Sequence, residues 1–321
     1  TLARALRVNE DLCEAMALAH DLGHSPFAHK GEDVLAALMA PYGGFAHNDQ
    51  TVRILTYLER RYPGFNGLNL TYETLEGLVK HNGPALKPGM SENDLPFTIK
   101  NISQQIDFKL TLYASLEAQI VDISDDAAYC NHDVEDGLRG GFFTLDDLKK
   151  LSLYQNVIAR LECDLSGCDP EILVATMIRE QIGVMVSDIL ATTRATLTDL
   201  APQTVDDIRN AGRQIVRFSN GLFTQLKELR AFLHARFYGA PPLRRMAARA
   251  DTVITGLFHA FMDQPDLIPA TWWAREGGTS PDKTARARQV ADYIAGMTDG
   301  YAEREYARVT QQKQQSALPR G

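Results

Sequence analysis

Apolar residues recur at helical spacing along nearly the whole chain, and no pair of apolar runs is joined by a short Gly/Asn hairpin turn. A chain patterned this way can bury its apolar stripes only by packing helix on helix, so the predicted fold class is all-α. Helix starts are marked where a side-chain oxygen can accept an orphan backbone N–H. Such residues are Asn9 ahead of Glu10 and Asp11, Asn48 ahead of Asp49, Thr71, Ser115, Thr144, Asp169-Pro170 and Ser219. Pro241-Pro242 introduces a further helix, and Pro63, Gly83-Pro84 and Gly140-Gly141 supply stops. Residues 86–102, with two prolines and little periodicity, read as a loop, as does the stretch after Pro265 that carries Trp272 and Trp273. A helix is expected from about Ala285 to Asp299, followed by a polar tail, Gln311-Gln312-Lys313-Gln314-Gln315, expected to fray.

With 321 residues, 45% of them hydrophobic, the chain can bury one large core or two smaller ones. No apolar run approaches the ~20 residues that span a bilayer, and no basic-then-apolar leader opens the sequence, so a cytoplasmic location without a membrane partner is expected. The net charge of −8 argues against broad nucleic-acid binding, while leaving room for a local basic patch. Of Cys13, Cys130, Cys163 and Cys168 only the last two are close, and no further soft ligands stand near them, so free thiols are expected instead of a zinc cage.

The chemistry concentrates in His20-Asp21-Leu22-Gly23-His24-Ser25-Pro26-Phe27-Ala28-His29-Lys30-Gly31-Glu32, directly after an apolar helical run. A His-Asp dipeptide alone is ordinarily a surface pair or a cap, and His24 alone can be a loop residue bonded to backbone. Here the preceding apolar stretch turns His20 inward, and Gly23 and Pro26 impose a tight connection. His20 and Asp21 can then reach one divalent metal. His29 and Glu32 fall one turn apart on a second helix, an acid/base pair beside it.

The helix opened by Ser115 is the second informative place. Asp125, Tyr129 and Asp133 are spaced by four and share a face, with Asp122, Asp126 and Asp136 adding charge. Such a run is usually a solvated acidic face. The neighbouring Ile120, Val121, Ile123 and Ala127 make burial the expectation, and a buried carboxylate needs a cation, so Asp125 is the best candidate for a third metal ligand.

At these residues the chain resembles the HD-superfamily deoxynucleoside triphosphate triphosphohydrolases, of the bacterial deoxyguanosine-triphosphate triphosphohydrolase-like type. The resemblance runs from Thr1 to about Tyr306. Besides the His20–His29 segment, it rests on Phe45-Ala46-His47-Asn48, Gly77-Leu78-Val79-Lys80-His81-Asn82-Gly83-Pro84, Asp125-Asp126-Ala127-Ala128-Tyr129 and Asp292-Tyr293-Ile294-Ala295-Gly296-Met297-Thr298-Asp299. It implies a multi-helical HD-domain fold with a helical C-terminal extension. Residues 1–140 would form the metal-dependent core, and residues 141–321 would complete the substrate site and oligomer contacts. It further implies His20, Asp21 and Asp125 as metal ligands, His29 as general acid, Glu32 as its polarising partner and His47 on the phosphates. Tyr129 and Asp133 would lie along the sugar, with Tyr238 as a further sugar contact.

The family also places a metal-ligating His in an Arg-rich helix upstream of the His-Asp pair, and none precedes His20 here. Because Thr1-Leu2-Ala3-Arg4-Ala5-Leu6 reads as the tail of that helix, a missing N-terminal segment is the expectation. The implied reaction is hydrolysis of a deoxynucleoside triphosphate, dGTP-like, to deoxynucleoside and tripolyphosphate by a homo-oligomer. The donor types suit Mn, Mg, Fe, Co, Ni or Zn without choosing among them. Two alternatives share these residues: an HD phosphohydrolase acting on nucleoside monophosphates or cyclic nucleotides, and a non-catalytic nucleotide- or nucleic-acid-binding regulator.

Overall fold

The computed structural model describes residues 1–164, 169–275 and 277–316. Among these the chain is helical nearly throughout; no sheet forms, and isolated bridges join Arg60 to Gly67 and Tyr62 to Phe65. None of the described helices is long and apolar enough to cross a membrane. The chain forms two compact units. The first comprises Thr1–Ala17, Lys80–Ala85 and Lys109–Arg244, the second Leu18–Val79, Leu86–Phe108 and Arg245–Gly321. Each unit is thus assembled from segments that are not contiguous in the chain.

In the first unit the Leu116–Arg139 helix packs against Pro170–Leu200 and Asn220–Leu233, with Ser152–Asp164 beside the last two. Their stripes meet in a core that includes Val134, Leu148, Tyr154, Met185, Ile189 and Leu226, all fully buried. The expected start signals act as caps. Ser115 Oγ accepts from Ala118 N at 3.4 Å, Thr144 and Asp147 cap one another, Asp169 accepts from Glu171 N at 2.8 Å, and Ser219 accepts from Leu222 N at 3.2 Å. Cys13 and Cys130 are buried free thiols, and burial, reinforced by Glu117, pushes the Cys13 thiol up to about 12. Cys168 and the side chain of Cys163 lie outside the described residues.

In the second unit Val34, Leu35 and Met39 of the Ala28–Met39 helix join a core with Val253, Leu257 and Phe261 of Pro241–Asp263 and with Val290 and Ile294 of Lys283–Ala295. Several local expectations change here. Residues 86–102 are not all loop: a 3₁₀ turn, Glu92–Asp94, precedes the Phe97–Ser103 helix. That helix begins because buried Asp49 Oδ1 accepts Thr98 N at 2.8 Å and Ile99 N at 2.9 Å, a cap supplied from another segment. Asn48 is not a cap, since the helix His47–Arg53 starts one residue earlier, after extended Ala46. Trp272 and Trp273 stand on a short helix, Ala270–Arg275. The helix expected to reach Asp299 stops at Ala295, where Gly296 ends it. A new helix, Asp299–Ser316, follows, with Thr298 Oγ1 accepting Tyr301 N at 3.3 Å. Its backbone carries the 311–315 segment expected to fray.

Candidate functional site

The Glu10–Ala19 helix starts at Asn9, whose Oδ1 accepts Leu12 N at 3.0 Å, and ends one residue before His20. His20 to Gly23 then form a turn held by Thr51, whose hydroxyl donates to His20 O at 2.8 Å and accepts Gly23 N–H at 2.9 Å. Gly23 is required by close approach: a Cβ there would stand 2.1 Å from His47 O and 2.3 Å from Thr51 N. Asp21 ends between two imidazoles, its Oδ2 3.3 Å from His20 Nε2 and its Oδ1 3.4 Å from His24 Nε2. The contact with His24 holds the Asp21 carboxyl below its ordinary range against the opposing effect of burial, and the charges of His20, His24 and His47 add to it. An ionised carboxylate beside an imidazole nitrogen is a donor set that fits a divalent first-row cation.

After this turn the backbone is strained. Phe27 and Ala28 both adopt left-handed φ values of 65° and 49°, costly for residues with a Cβ. Two contacts fix the kink. Phe27 N–H donates to Asp299 Oδ1 at 2.9 Å, and Gly31 lets the new helix close on Pro26 O, which a Cβ would meet at 1.8 Å. The helix so aimed presents His29 and Glu32 one turn apart, His29 Nδ1 lying 3.6 Å from Glu32 Oε2.

Glu32, however, makes its hydrogen bonds to His47. Its carboxylate accepts the His47 backbone N–H at 2.8 Å and lies 2.8 and 2.9 Å from ring Nδ1. Burial pushes the Glu32 carboxyl up, but these bonds outweigh it and hold the group at about 2. His24 joins the same cluster: its ring stacks on His47 with centroids 4.2 Å apart and meets His29 edge-on at 4.8 Å. One potential ligand atom from each of His24, His29, Glu32 and His47 lies within 4.8 Å of the others. Spacing alone left His24 without a role; its place three residues after Asp21, across the Gly23 turn, was the available signal.

Behind His47 its helix is anchored by a buried ion pair. Arg53 Nε and Nη2 donate to the Asp292 carboxylate at 2.8 and 2.7 Å, and Gln50 Nε2 adds a bond at 3.1 Å. Nothing in the residue types nearby announced Thr51, Arg53 or Asp292 as supports of the site, because their partners are distant in sequence.

Asp125, Tyr129, Asp133 and Tyr238 belong to the first unit. The first three share a face of the Leu116–Arg139 helix, and Tyr238 closes a π-helical turn, His234–Tyr238, that extends the Asn220–Leu233 helix. The Tyr238 hydroxyl lies 2.6 Å from that of Tyr129 and donates toward the Asp133 carboxylate. Burial raises the Asp133 carboxyl, partly opposed by Tyr238, and burial with these two neighbours raises the Tyr238 phenol. Asp125 is exposed, contrary to the expected burial of this acidic face. The more enclosed neighbour is Asp122, which burial pushes up to about 6 although Gln214 Nε2 donates to it at 2.8 Å. Asp126 pairs with Arg230 at 2.9 Å.

Known proteins carry the same organisation. Residues 1–129 match the HD domain and residues 216–308 the phosphohydrolase-associated domain. HD domains bind divalent metals. A deoxyguanosinetriphosphate triphosphohydrolase-like protein of Cereibacter sphaeroides (strain ATCC 17025 / ATH 2.4.3) is 46% identical over 96% of this chain and 80% of its own length. Its namesake in Jannaschia sp. (strain CCS1) is 46% identical over 94% and 75%, and that of Brucella ovis (strain ATCC 25840 / 63/290 / NCTC 10512) 45% identical over 96% and 77%. Matched along nearly its whole length by such relatives, the chain belongs to the deoxyguanosinetriphosphate triphosphohydrolase-like family of HD phosphohydrolases.

Proposed function

We propose that the protein hydrolyses deoxynucleoside triphosphates, dGTP-like, to the deoxynucleoside and tripolyphosphate. The observation that carries this reading is the histidine cluster beside Asp21, where Glu32 fixes His47 by backbone and ring while His29 stands one turn away. The names of the relatives supply the substrate class.

His20 and Asp21 would hold a divalent cation, and Asp125 is proposed as a further ligand on the resemblance. When bound, such a cation polarises a phosphoryl oxygen and lowers the pKa of water. His47, oriented by Glu32, would donate a hydrogen bond to the phosphate chain. His29 would protonate the 5′-oxygen as it leaves the α-phosphorus, a contribution of roughly 10²–10⁴-fold for a positioned acid. Glu32 would also steady His29 across their one-turn spacing. Tyr129, Asp133 and Tyr238 would bind along the sugar, where close packing disfavours a 2′-hydroxyl. In this division of labour residues 1–140 supply the hydrolytic groups, and residues 141–321 complete the substrate site and the contacts of a homo-oligomer in the cytoplasm.

The test is the bond cleaved. Hydrolysis in ¹⁸O-water should place the label in tripolyphosphate and none in the deoxynucleoside, as read by mass spectrometry. A nucleoside mono- or diphosphate as the primary product would overturn the assignment.

A further inference from the structure

We infer that Asp299 is a positioning residue for His29: by holding the left-handed turn at Phe27 and Ala28, it sets the place from which His29 gives up its proton. The proton transfer rests on the hydrolytic reading above; the placement of His29 rests on backbone geometry alone.

The Ala28–Met39 helix carries His29 in its first turn and has no cap of its own. Phe27 stands at the cap position, and no side-chain hydrogen bond closes the helix there. An uncapped first turn is where a helix frays, so its entry must be fixed from outside if His29 is to keep one place. The His29 side chain is 63% exposed, so where it stands depends on the backbone that carries it. Phe27 fixes that backbone through both of its peptide groups. Its carbonyl accepts Gly31 N–H at 3.3 Å, closing the first turn, and its N–H donates to Asp299 Oδ1 at 2.9 Å.

The bond to Asp299 also decides which backbone the turn adopts. Successive residues with a Cβ, Phe27 at φ 65° and Ala28 at φ 49°, persist in the left-handed region only where surrounding contacts over-determine them. The Phe27 ring makes one such contact, packing on the core that Ala302 and Val309 of the Asp299–Ser316 helix help to build. A ring on a core can pivot, whereas a hydrogen bond at the amide fixes the peptide plane. Without it the pair relaxes toward ordinary backbone and the first turn swings, taking His29 with it. A reacting group displaced by about 1 Å can lose on the order of 100-fold in rate. Asp299 ends the Asp292–Asp299 motif and lies in the segment that matches the phosphohydrolase-associated domain, while His29 lies in the HD-domain match. The bond gives that motif a task in the reaction which its distance in sequence conceals.

The test compares Asp299→Ala with Asp299→Asn in the full, metal-loaded chain, the second variant keeping an acceptor oxygen. The readouts are hydrogen exchange at the Phe27 amide, the ring signals of His29 in histidine-labelled protein, assigned through His29→Gln, and steady-state kinetics with dGTP. Asp299→Ala should speed Phe27 exchange by at least about tenfold, shift the His29 signals and lower kcat about 100-fold, with KM within about twofold of the parent. Asp299→Asn should stay near the parent in every readout. Adding Ala28→Gly to Asp299→Ala should recover part of kcat, because glycine takes the left-handed turn without strain. Faster exchange with unchanged His29 signals and kcat would reduce Asp299 to a structural tie and overturn the proposal. An equal loss in Asp299→Asn would overturn it as well. Should Asp299→Ala fail to fold by circular dichroism, Asp299→Ser, whose oxygen falls one bond short of Phe27 N–H, decides by the same readouts. If the parent releases no tripolyphosphate, the hydrolytic reading fails by its own product; exchange and the His29 signals still decide whether Asp299 places the ring.

Discussion

Glu32 grips His47 at two points, accepting the backbone N–H at 2.8 Å and holding ring Nδ1 at 2.8 Å. The first bond does the work of a helix cap, which Ala46 cannot do, and the second fixes the ring plane. One carboxylate therefore sets both where the helix begins and where its first side chain points.

Replacing it by Glu32→Gln should destabilise the protein by roughly 1–3 kcal/mol at neutral pH. The folded carboxyl sits at about 2, below its ordinary 4.5. The sign follows: the stabilisation is fully present above about 4.5 and is lost as pH falls through about 2. Urea unfolding of parent and variant at pH 7 and pH 3 should show the gap narrowing in acid. A gap independent of pH would assign the effect to packing.

The Arg53–Asp292 pair is buried, so cutting one side leaves an uncompensated charge. Arg53→Met and Asp292→Leu should each cost about 3–5 kcal/mol, and the double variant Arg53→Met/Asp292→Leu much less than their sum. Additive losses in denaturant titrations would show that the two groups act independently.

Gly23→Ala forces a Cβ against His47 O and Thr51 N. Because both are backbone atoms, neither can swing aside. A loss of about 1–3 kcal/mol is expected, together with weaker metal retention. Thr51→Val, which removes only the hydroxyl clamp on the turn, should reproduce part of that loss. Thermal melts and metal content of the two variants decide this; an unperturbed Gly23→Ala protein would mean that the turn can open without cost.

On the Leu116–Arg139 helix, Tyr238→Phe removes the hydroxyl that steadies the Asp133 anion. The Asp133 carboxyl should rise further, readable by carbon NMR of labelled aspartate. If the three residues bind sugar, KM for a deoxynucleoside triphosphate should rise several-fold with kcat little changed. An unchanged KM would remove Tyr238 from the substrate surface.

Asp122 titrates in the opposite sense to Glu32. Its folded carboxyl lies at about 6, above the ordinary 3.8, so its contribution is present below about 3.8 and is lost as pH rises through 6. Asp122→Asn, permanently neutral, should flatten the decline in stability between pH 4 and pH 6. Chemical denaturation across that interval tests it, and parallel curves for parent and variant would count against it.

The parts of the molecule legible in the sequence are those whose causes are local. Asn9, Thr71, Ser115, Thr144, Asp169 and Ser219 start helices because a cap and its N–H lie two or three residues apart. The His29 and Glu32 spacing is likewise one turn of one helix. The Phe97–Ser103 helix was illegible because its cap, Asp49, stands about fifty positions away. His24 is illegible for a similar reason: its stacking partner, His47, is brought to it by Thr51 and Gly23, and no local pattern encodes that approach.

The interleaving of the second unit has a consequence for biosynthesis. Leu35 and Met39 find their core partners in Val253, Leu257, Val290 and Ile294, while Phe27 and Arg53 await Asp299 and Asp292. More than two hundred residues must leave the ribosome after the histidines before the helices that hold them in place are available. Nascent chains stalled anywhere before Arg245 would expose the apolar face of Ala28–Met39 to chaperones. Such proximity across so long a contour also predicts slow refolding, with the histidine cluster among the last features to become ordered.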